Sequence, residues 1–341
     1  MLRLQKRPVT LKDIAEKAGV SIMAVSTVLN SSKSTVGVSA STRERILEIA
    51  QELEYRPNAF ARSLRMKRIG TIGLVHDEGL LRTDDPFIRE LFNGINDVLA
   101  SNDLDLLIYC GVDVHDRSTI LSRLLGNKID GLLILPTEGG ASWINKLADT
   151  HVPIVVVSEA VQGLPSVSAD DTRGARLIAE YLFSRGHRHV LYRRSSTLSS
   201  MDEARYQEFQ SVADQSGCRI TATRANDILD SVTAEEERLV LNRSDDIPVT
   251  AVACWRDQSA DRMLNYCLHQ QIAVPGELAI TGFDGAGKHI HVSGRQITTV
   301  KANWKEVGQE AARLIVSLTK HQSGNTKGDL VQANLLIGDT T

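Results

Sequence analysis

Apolar residues in the first part of the chain recur with the spacing of a helix. Leu11, Ile14, Ala15 and Ala18 share one helical face, and Ile46, Ile49, Ala50 and Leu53 repeat the i, i+3, i+4, i+7 pattern. Thr10 ahead of Asp13 suits a helix start, because its hydroxyl can accept from the N–H three residues on and the carboxylate favours the positive end of the dipole. Gly19 ends that helix, Val20 packs under the turn, and Ser21 is placed to cap a second short helix over residues 22–29. Ser41, with Glu44 three residues on, opens a third and longer helix that ends near Tyr55, before Pro57. Three small helices with a glycine turn between the first two form a helix-turn-helix module, an all-α unit whose second helix enters the major groove.

After Ile69 the texture changes to short β-rich runs separated by helical stretches such as 88–100 and 175–185. One set of strands is predicted at 71–75, 104–109, 131–135 and 154–157, and a second at 190–192, 219–223, 250–253 and 278–283. Strands this apolar have no wet face, so they belong to parallel sheets covered by helices on both sides. Two sets imply an α/β body of two Rossmann-like lobes, which bind ligands at the carboxyl ends of their strands.

Charge divides the chain at the same place. Residues 1–68 hold 13 Lys and Arg against 6 Asp and Glu, a net +7, while residues 69–341 hold 26 against 36, a net −10. A basic head on an acidic body points to a polyanionic partner for the head alone. The longest apolar runs, of which 132–135 and Ile154–Val157 are typical, fall far short of the ~20 residues of a spanning helix, so no membrane partner is expected. Arg3, Lys6 and Arg7 are followed at once by Lys12, Asp13, Glu16 and Lys17 rather than by an apolar segment, so secretion is unsupported and a cytoplasmic location is expected. Cys110, Cys218, Cys254 and Cys267 are widely separated and read as reduced thiols, not as a disulfide framework or zinc site.

The head resembles the DNA-binding segment of the LacI/GalR (lactose repressor/galactose repressor) family, through VTLKDIAEKAGVSIMAVSTVLN at 9–30 and VSASTRERILEIAQELEYRPNAFARSLR at 38–65. The resemblance implies DNA contacts from Thr10, Ser21, Ile22, Met23, Ser26, Thr27 and Asn30, with double-stranded operator DNA as the partner. It also implies that residues 57–68 form a hinge helix, with Asn58, Ala61 and Arg62 in register and Leu64 as a wedge between base steps of the minor groove. Departures are specific. Ala24 and Thr27 stand where the family usually has Thr and Arg, Ile22 and Met23 offer only apolar contact suited to thymine methyls, and Lys33 lies in a loop longer than usual.

The body carries the same resemblance in 85–109, in Gly186-His187 and in ITGFDG at 280–285. It implies a sensor built like periplasmic sugar-binding proteins: a head at 1–56, a hinge at 57–68 and a ligand-binding and dimerisation domain at 69–341. Within the last, an N-subdomain of about 69–168 plus 301–327 faces a C-subdomain of about 169–300 plus 328–341. Asp170, Arg205, Asp257 and Asp284 carry over as ligand residues, and acids that accept from vicinal hydroxyls beside an Arg that donates suit a sugar-like effector. For each acid the alternative is a helix cap or a structural ion pair; Asp171 shares it. Here too the chain departs: Arg256 precedes Asp257 in place of Asn, Glu208 follows Arg205 in place of Gly, and Arg295 replaces a Pro. Arg193 and Arg194 follow the Gly-His strand where small or apolar residues are usual. The extra cations fit a phosphorylated or acidic ligand, or an Arg256 that neutralises Asp257 internally.

No enzyme is expected. GFDGAGKH at 282–289 approaches a phosphate-binding loop but ends in His289 where Ser or Thr would ligate Mg²⁺. The pairs His187/His189 and His289/His291 lack a third ligand nearby, so no metal or other cofactor is expected. Together these readings imply a homodimeric regulator with one helix-turn-helix per half-site.

Overall fold

In a computed structural model of the chain, the described residues are 7, 9–29, 37–56, 68–76, 86–109, 123–124, 126, 128–136, 141–144, 147, 150–161, 163–196, 200–224, 231–242, 244–286, 293–320 and 329–341. The chain divides into two compact units, Met1–Ile69 and Gly70–Thr341.

In the first unit, α1 (Leu11–Ala18), α2 (Ile22–Leu29) and α3 (Ala40–Glu52) enclose a core of Ile14, Ala15, Ala18, Val25, Val28, Ile46, Ile49 and Ala50. Thr10 and Asp13 form a reciprocal capping box at α1, which holds the Asp13 carboxyl below its usual range through the Thr10 backbone and hydroxyl. Gly19 ends α1 in the left-handed region at φ 62, as its missing Cβ allows. Ser21 Oγ accepts from Ala24 N at the start of α2. The third helix begins earlier than Ser41: Ser39 is its cap and accepts from Thr42 N, so the Ser41–Glu44 pairing is not what starts it. It also stops at Glu52, short of Tyr55, whose ring instead packs on the core.

The second unit holds two six-stranded sheets. In the first, β1 (Thr71–His76), β2 (Asp105–Tyr109), β3 (Gly131–Leu135), β4 (Ile154–Val157), β5 (Ser166–Ala169) and β11 (Asp329–Val331) run in the order β11-β5-β4-β3-β1-β2, with every pairing parallel. The second comprises β6 (His189–Arg194), β7 (Arg219–Arg224), β8 (Ala251–Cys254), β9 (Ala279–Asp284), β10 (Thr298–Ala302) and β12 (Ala333–Leu336). Its order is β12-β10-β9-β8-β6-β7, and only the β10–β12 pair is antiparallel. Helices α4 (Pro86–Ser101) and α5 (Ala141–Ile144) belong to the first lobe. The second has α6 (Asp171–Ser184), α7 (Ser200–Ser216), α8 (Ala234–Leu241) and α9 (Asp257–His269), and α10 (Trp304–Thr319) returns to the core of the first.

The chain therefore passes between lobes after β5, after β10 and between β11 and β12. The last passage falls at Gln332 and not at 328, because β11 pairs with β5 in the first sheet. Helices α4 and α10 pack at backbone distance: a Cβ on Gly308 would stand 2.2 Å from Leu91 O, and one on Gly94 2.0 Å from Lys305 O. That contact fixes α10 on the first lobe, and with it the start of the segment that links the two.

Candidate functional site

Two contacts join the lobes just beyond the carboxyl ends of strands. Glu159, just past β4, accepts from the Ser200 hydroxyl at the start of α7, and Ala286, just past β9, packs against the core of the first lobe.

Arg205, on α7 of the second lobe, is 4% exposed although it lies on a helix. Its Nε donates to Asp171 Oδ1 at 2.7 Å, one terminal nitrogen donates to Trp255 O at 2.8 Å, and the other to Asp284 Oδ1 at 3.3 Å. The guanidinium lies 3.6 Å over the Phe283 ring, so its flat face is covered while its edges bond. Burial alone would discourage the Arg205 charge, but the Asp171 and Asp284 carboxylates reverse that and keep it ionised. Burial pushes the Asp171 carboxyl up, with Arg205 opposing.

The sequence GFDG at 282–285 ties Arg205 to Asp257. A Cβ on Gly282 would stand 2.2 Å from Asp257 Oδ1, so only glycine leaves room for that carboxylate. Phe283 lies under Arg205, and Asp284, at φ 96, turns its carboxylate onto it. Gly285, at φ 57, donates its N–H to Asp257 Oδ2 at 3.0 Å, and Thr299 Oγ1 donates to Asp257 Oδ1 at 2.6 Å. Asp257 sits in the first turn of α9, where the helix dipole favours its charge. Four consecutive residues thus join two helices and β10.

Of the expected ligand residues, Arg205 and Asp284 meet directly, and Asp257 joins them through Gly282 and Gly285. Asp170 is the cap of α6, where it accepts from Arg173 N at 2.9 Å. The acid that meets Arg205 from this segment is its neighbour Asp171, for which the sequence left the same alternative of a helix cap or a structural ion pair.

Two of the extra arginines are paired internally. Arg193, 1% exposed, donates to Glu236 Oε1 at 2.8 Å, to Ser259 Oγ at 2.8 Å and to Ser231 O at 2.9 Å. Arg194 pairs with Asp202 at 2.7 Å and Glu203 at 2.6 Å, and lies 4.4 Å over the Tyr206 ring. Arg256 stacks on Trp255 at 4.3 Å. Glu236, which carries the Arg193 pairing, gave no sequence signal, because it lies 43 residues away on α8 and reads as an ordinary capping-box acid.

On the head, Ser21, Ile22 and Met23 are exposed, Ser26 is half-buried, and Thr10 caps α1. Thr27 faces inward, 7% exposed, with its hydroxyl donated to Met23 O at 2.9 Å, so it is not among the residues this unit turns outward. Asn30, Lys33, Asn58, Ala61, Arg62 and Leu64 lie outside the described residues, as do His289 and His291. His187 and His189 are engaged by Thr250 and by Ile247 O and Thr221 respectively. Among the described residues no cluster of three or more His, Cys, Asp or Glu is placed to hold a metal, and no helix is long and apolar enough to cross a membrane.

Two family models match the chain: bacterial regulatory proteins of the lacI family over residues 10–58, and a periplasmic binding protein-like domain over residues 179–341. Catabolite control protein A of Priestia megaterium is 26% identical over 325 residues, covering 93% of this chain and 94% of its own length. The HTH-type transcriptional regulator GalR of Escherichia coli K12 is 27% identical over 324 residues, with 92% and 90% covered. The chain belongs to the LacI/GalR family. Its relatives are DNA-binding transcriptional regulators. A Lac repressor dimer bound to operator and the anti-inducer ONPF shares the fold of this LacI/GalR-family chain, with a TM-score of 0.81 at 24% identity over 98% of this chain and 99% of that one.

Proposed function

We propose that the chain is a homodimeric transcriptional repressor of the cytoplasm that binds a pseudo-palindromic operator. In this reading a small polyhydroxyl molecule, a sugar or sugar derivative held between the two lobes, sets its operator affinity. The capped helix-turn-helix within a segment of net +7 supports the DNA half, and a helix-turn-helix that reads one half-site calls for a second copy. Asn30, Asn58, Ala61, Arg62 and the Leu64 wedge belong to this proposal on the strength of the family resemblance.

The Arg205 cluster carries the ligand half. Three of the five guanidinium donors are used by Asp171, Trp255 and Asp284, which leaves two among the described residues for ligand oxygens. One cation between two carboxylates suits hydroxyl groups, which both donate and accept. A phosphorylated ligand would need uncommitted cations, and Arg193 and Arg194 are already paired with Glu236, Asp202 and Glu203. Ligand that engages Arg205 acts on Asp284 and Gly285, next to the segment that packs on the first lobe, and so couples the pocket to the lobe arrangement. Coupling of this kind is reciprocal: ligand that weakens DNA binding is itself bound more weakly on DNA.

A thermal-shift screen of neutral sugars, sugar phosphates and nucleosides tests the ligand, followed by duplex binding with each hit. Stabilisation by neutral sugars that also changes DNA affinity supports the proposal, and hits confined to sugar phosphates contradict it. Sedimentation as a monomer at micromolar concentration, with and without duplex, would remove the dimer.

A further inference from the structure

The face that α2 turns outward is apolar. Ile22 and Met23 are 49% and 64% exposed, whereas Ala24, Val25, Thr27 and Val28 are buried in the head. The helix reads IMAVSTVL and contains no Arg, Lys, Asn, Gln, Asp or Glu. Those are the side chains that identify guanine, adenine and cytosine in the major groove, most of them through paired hydrogen bonds. Of the hydroxyls, Thr27 is turned inward onto Met23 O, Ser21 accepts from Ala24 N, and Ser26 is half-buried with a partner of its own, whereas Ile22 and Met23 stand outward. Exposed branched and thioether side chains find one apolar mark on the edges of bases in that groove, the C5-methyl of thymine.

We infer that Ile22 and Met23 recognise the C5-methyl groups of pyrimidines in duplex DNA, so that thymines specify the half-site at the positions these two side chains reach. The inference rests on the proposed reading of the head as a major-groove binder. Duplex DNA is favoured over a protein as occupant of this face by charge: residues 1–68 carry a net +7, which draws the head onto phosphate and brings the apolar pair against the bases. Because 5-methylcytosine presents the same methyl group, it meets the same two side chains.

The test uses the full chain to select duplexes from a random pool. Affinity for the enriched duplex is then measured by fluorescence anisotropy at fixed salt with each thymine replaced in turn by deoxyuridine, which removes only the methyl. At one or two thymines per half-site the replacement weakens binding roughly three- to fivefold, the effect of returning one methyl group to water. Met23→Ala or Ile22→Ala weakens binding to the thymine duplex and abolishes the uracil penalty at its own position. At that position 5-methylcytosine binds more tightly than cytosine. Both side chains are on the surface, and unchanged circular dichroism of the variants separates readout from folding. Equal binding of thymine and deoxyuridine duplexes at every position would overturn the inference, as would a penalty that persists in both variants. Failure to enrich any duplex would remove the DNA-binding reading itself, and the inference with it.

Discussion

Glu236→Gln exchanges a charge for an amide at a place closed to water. Glu236 is 0% exposed and accepts from Arg193 Nε at 2.8 Å, Thr223 Oγ1 at 2.7 Å and Thr233 N at 2.8 Å, while Arg193 is 1% exposed. The amide nitrogen must face at least one of these donors, and the guanidinium keeps its charge without its counterion. Breaking a buried pair from one side costs about 3–5 kcal/mol, against a total stability of roughly 5–15 kcal/mol. With a denaturant slope of about 2–3 kcal/mol per molar, the urea midpoint falls by roughly 1–2.5 M. Removing both charges tells a different story: Arg193→Met with Glu236→Leu leaves no stranded ion and restores the midpoint to near the parent value. A Glu236→Gln midpoint within about 0.3 M of the parent would refute the reasoning, where 3–5 kcal/mol is expected for breaking such a pair. So would a double variant as destabilised as the single one. The double variant also separates structure from recognition. It keeps ligand and DNA binding if Arg193 is structural, and a folded double variant that loses ligand would place Arg193 in the pocket.

Further outcomes follow from the same contacts. Gly282→Ala drives a methyl into Asp257 and costs about 1–3 kcal/mol of overpacking, with a weakened ligand response; an unchanged thermal midpoint and response would contradict the bracket role of GFDG. Gly308→Ala meets Leu91 O on the backbone of α4, which cannot rotate away, so a loss of similar size, about 1–3 kcal/mol, is expected in urea unfolding, and no loss would show that the two helices can separate. Burial, reinforced by Arg185, lowers the His187 value below its ordinary 6.5, so the unfolded chain takes up that proton more readily. Its contribution is present above about pH 6.5 and fades below it. The thermal midpoint therefore drops less between pH 7 and 5 in His187→Gln than in the parent, and equal drops would contradict the assignment.

The head was legible because its signals are local. Caps, the glycine turn and the spacing of Ile14, Ile46 and Ile49 act within a few residues, so α1 and α2 begin and end where the sequence places them. The ends of α3 were misplaced: Ser39 and Ser41 are equivalent as caps by composition, and the helix stops at Glu52, short of Tyr55. In the body β1 to β4 and β6 to β9 were readable from apolar runs, whereas β5, β10, β11 and β12 were not. β11 and β12 are short strands at sheet edges with polar residues, and β5 and β10 carry Ser and Thr that tertiary contacts bury. The Arg205 cluster was half legible. Motif residues Arg205, Asp257 and Asp284 converge, but which of two adjacent acids meets Arg205 depends on where α6 starts, and that is decided by Asp170 as its cap. Charge counting failed at Arg193 and Arg194 for a related reason: their partners lie on helices packed from elsewhere in the lobe.

The central claim is that a ligand between the lobes controls binding of the head to DNA. Fluorescence anisotropy on the selected duplex, over a salt series with and without the sugar found by thermal shift, tests it most directly. The account predicts a logarithmic affinity that falls linearly with logarithmic salt, by about 0.9 per neutralised phosphate, and a shift of roughly 5- to 150-fold when ligand is added. Affinity insensitive to salt, or a ligand that binds and leaves DNA affinity unchanged, would contradict it.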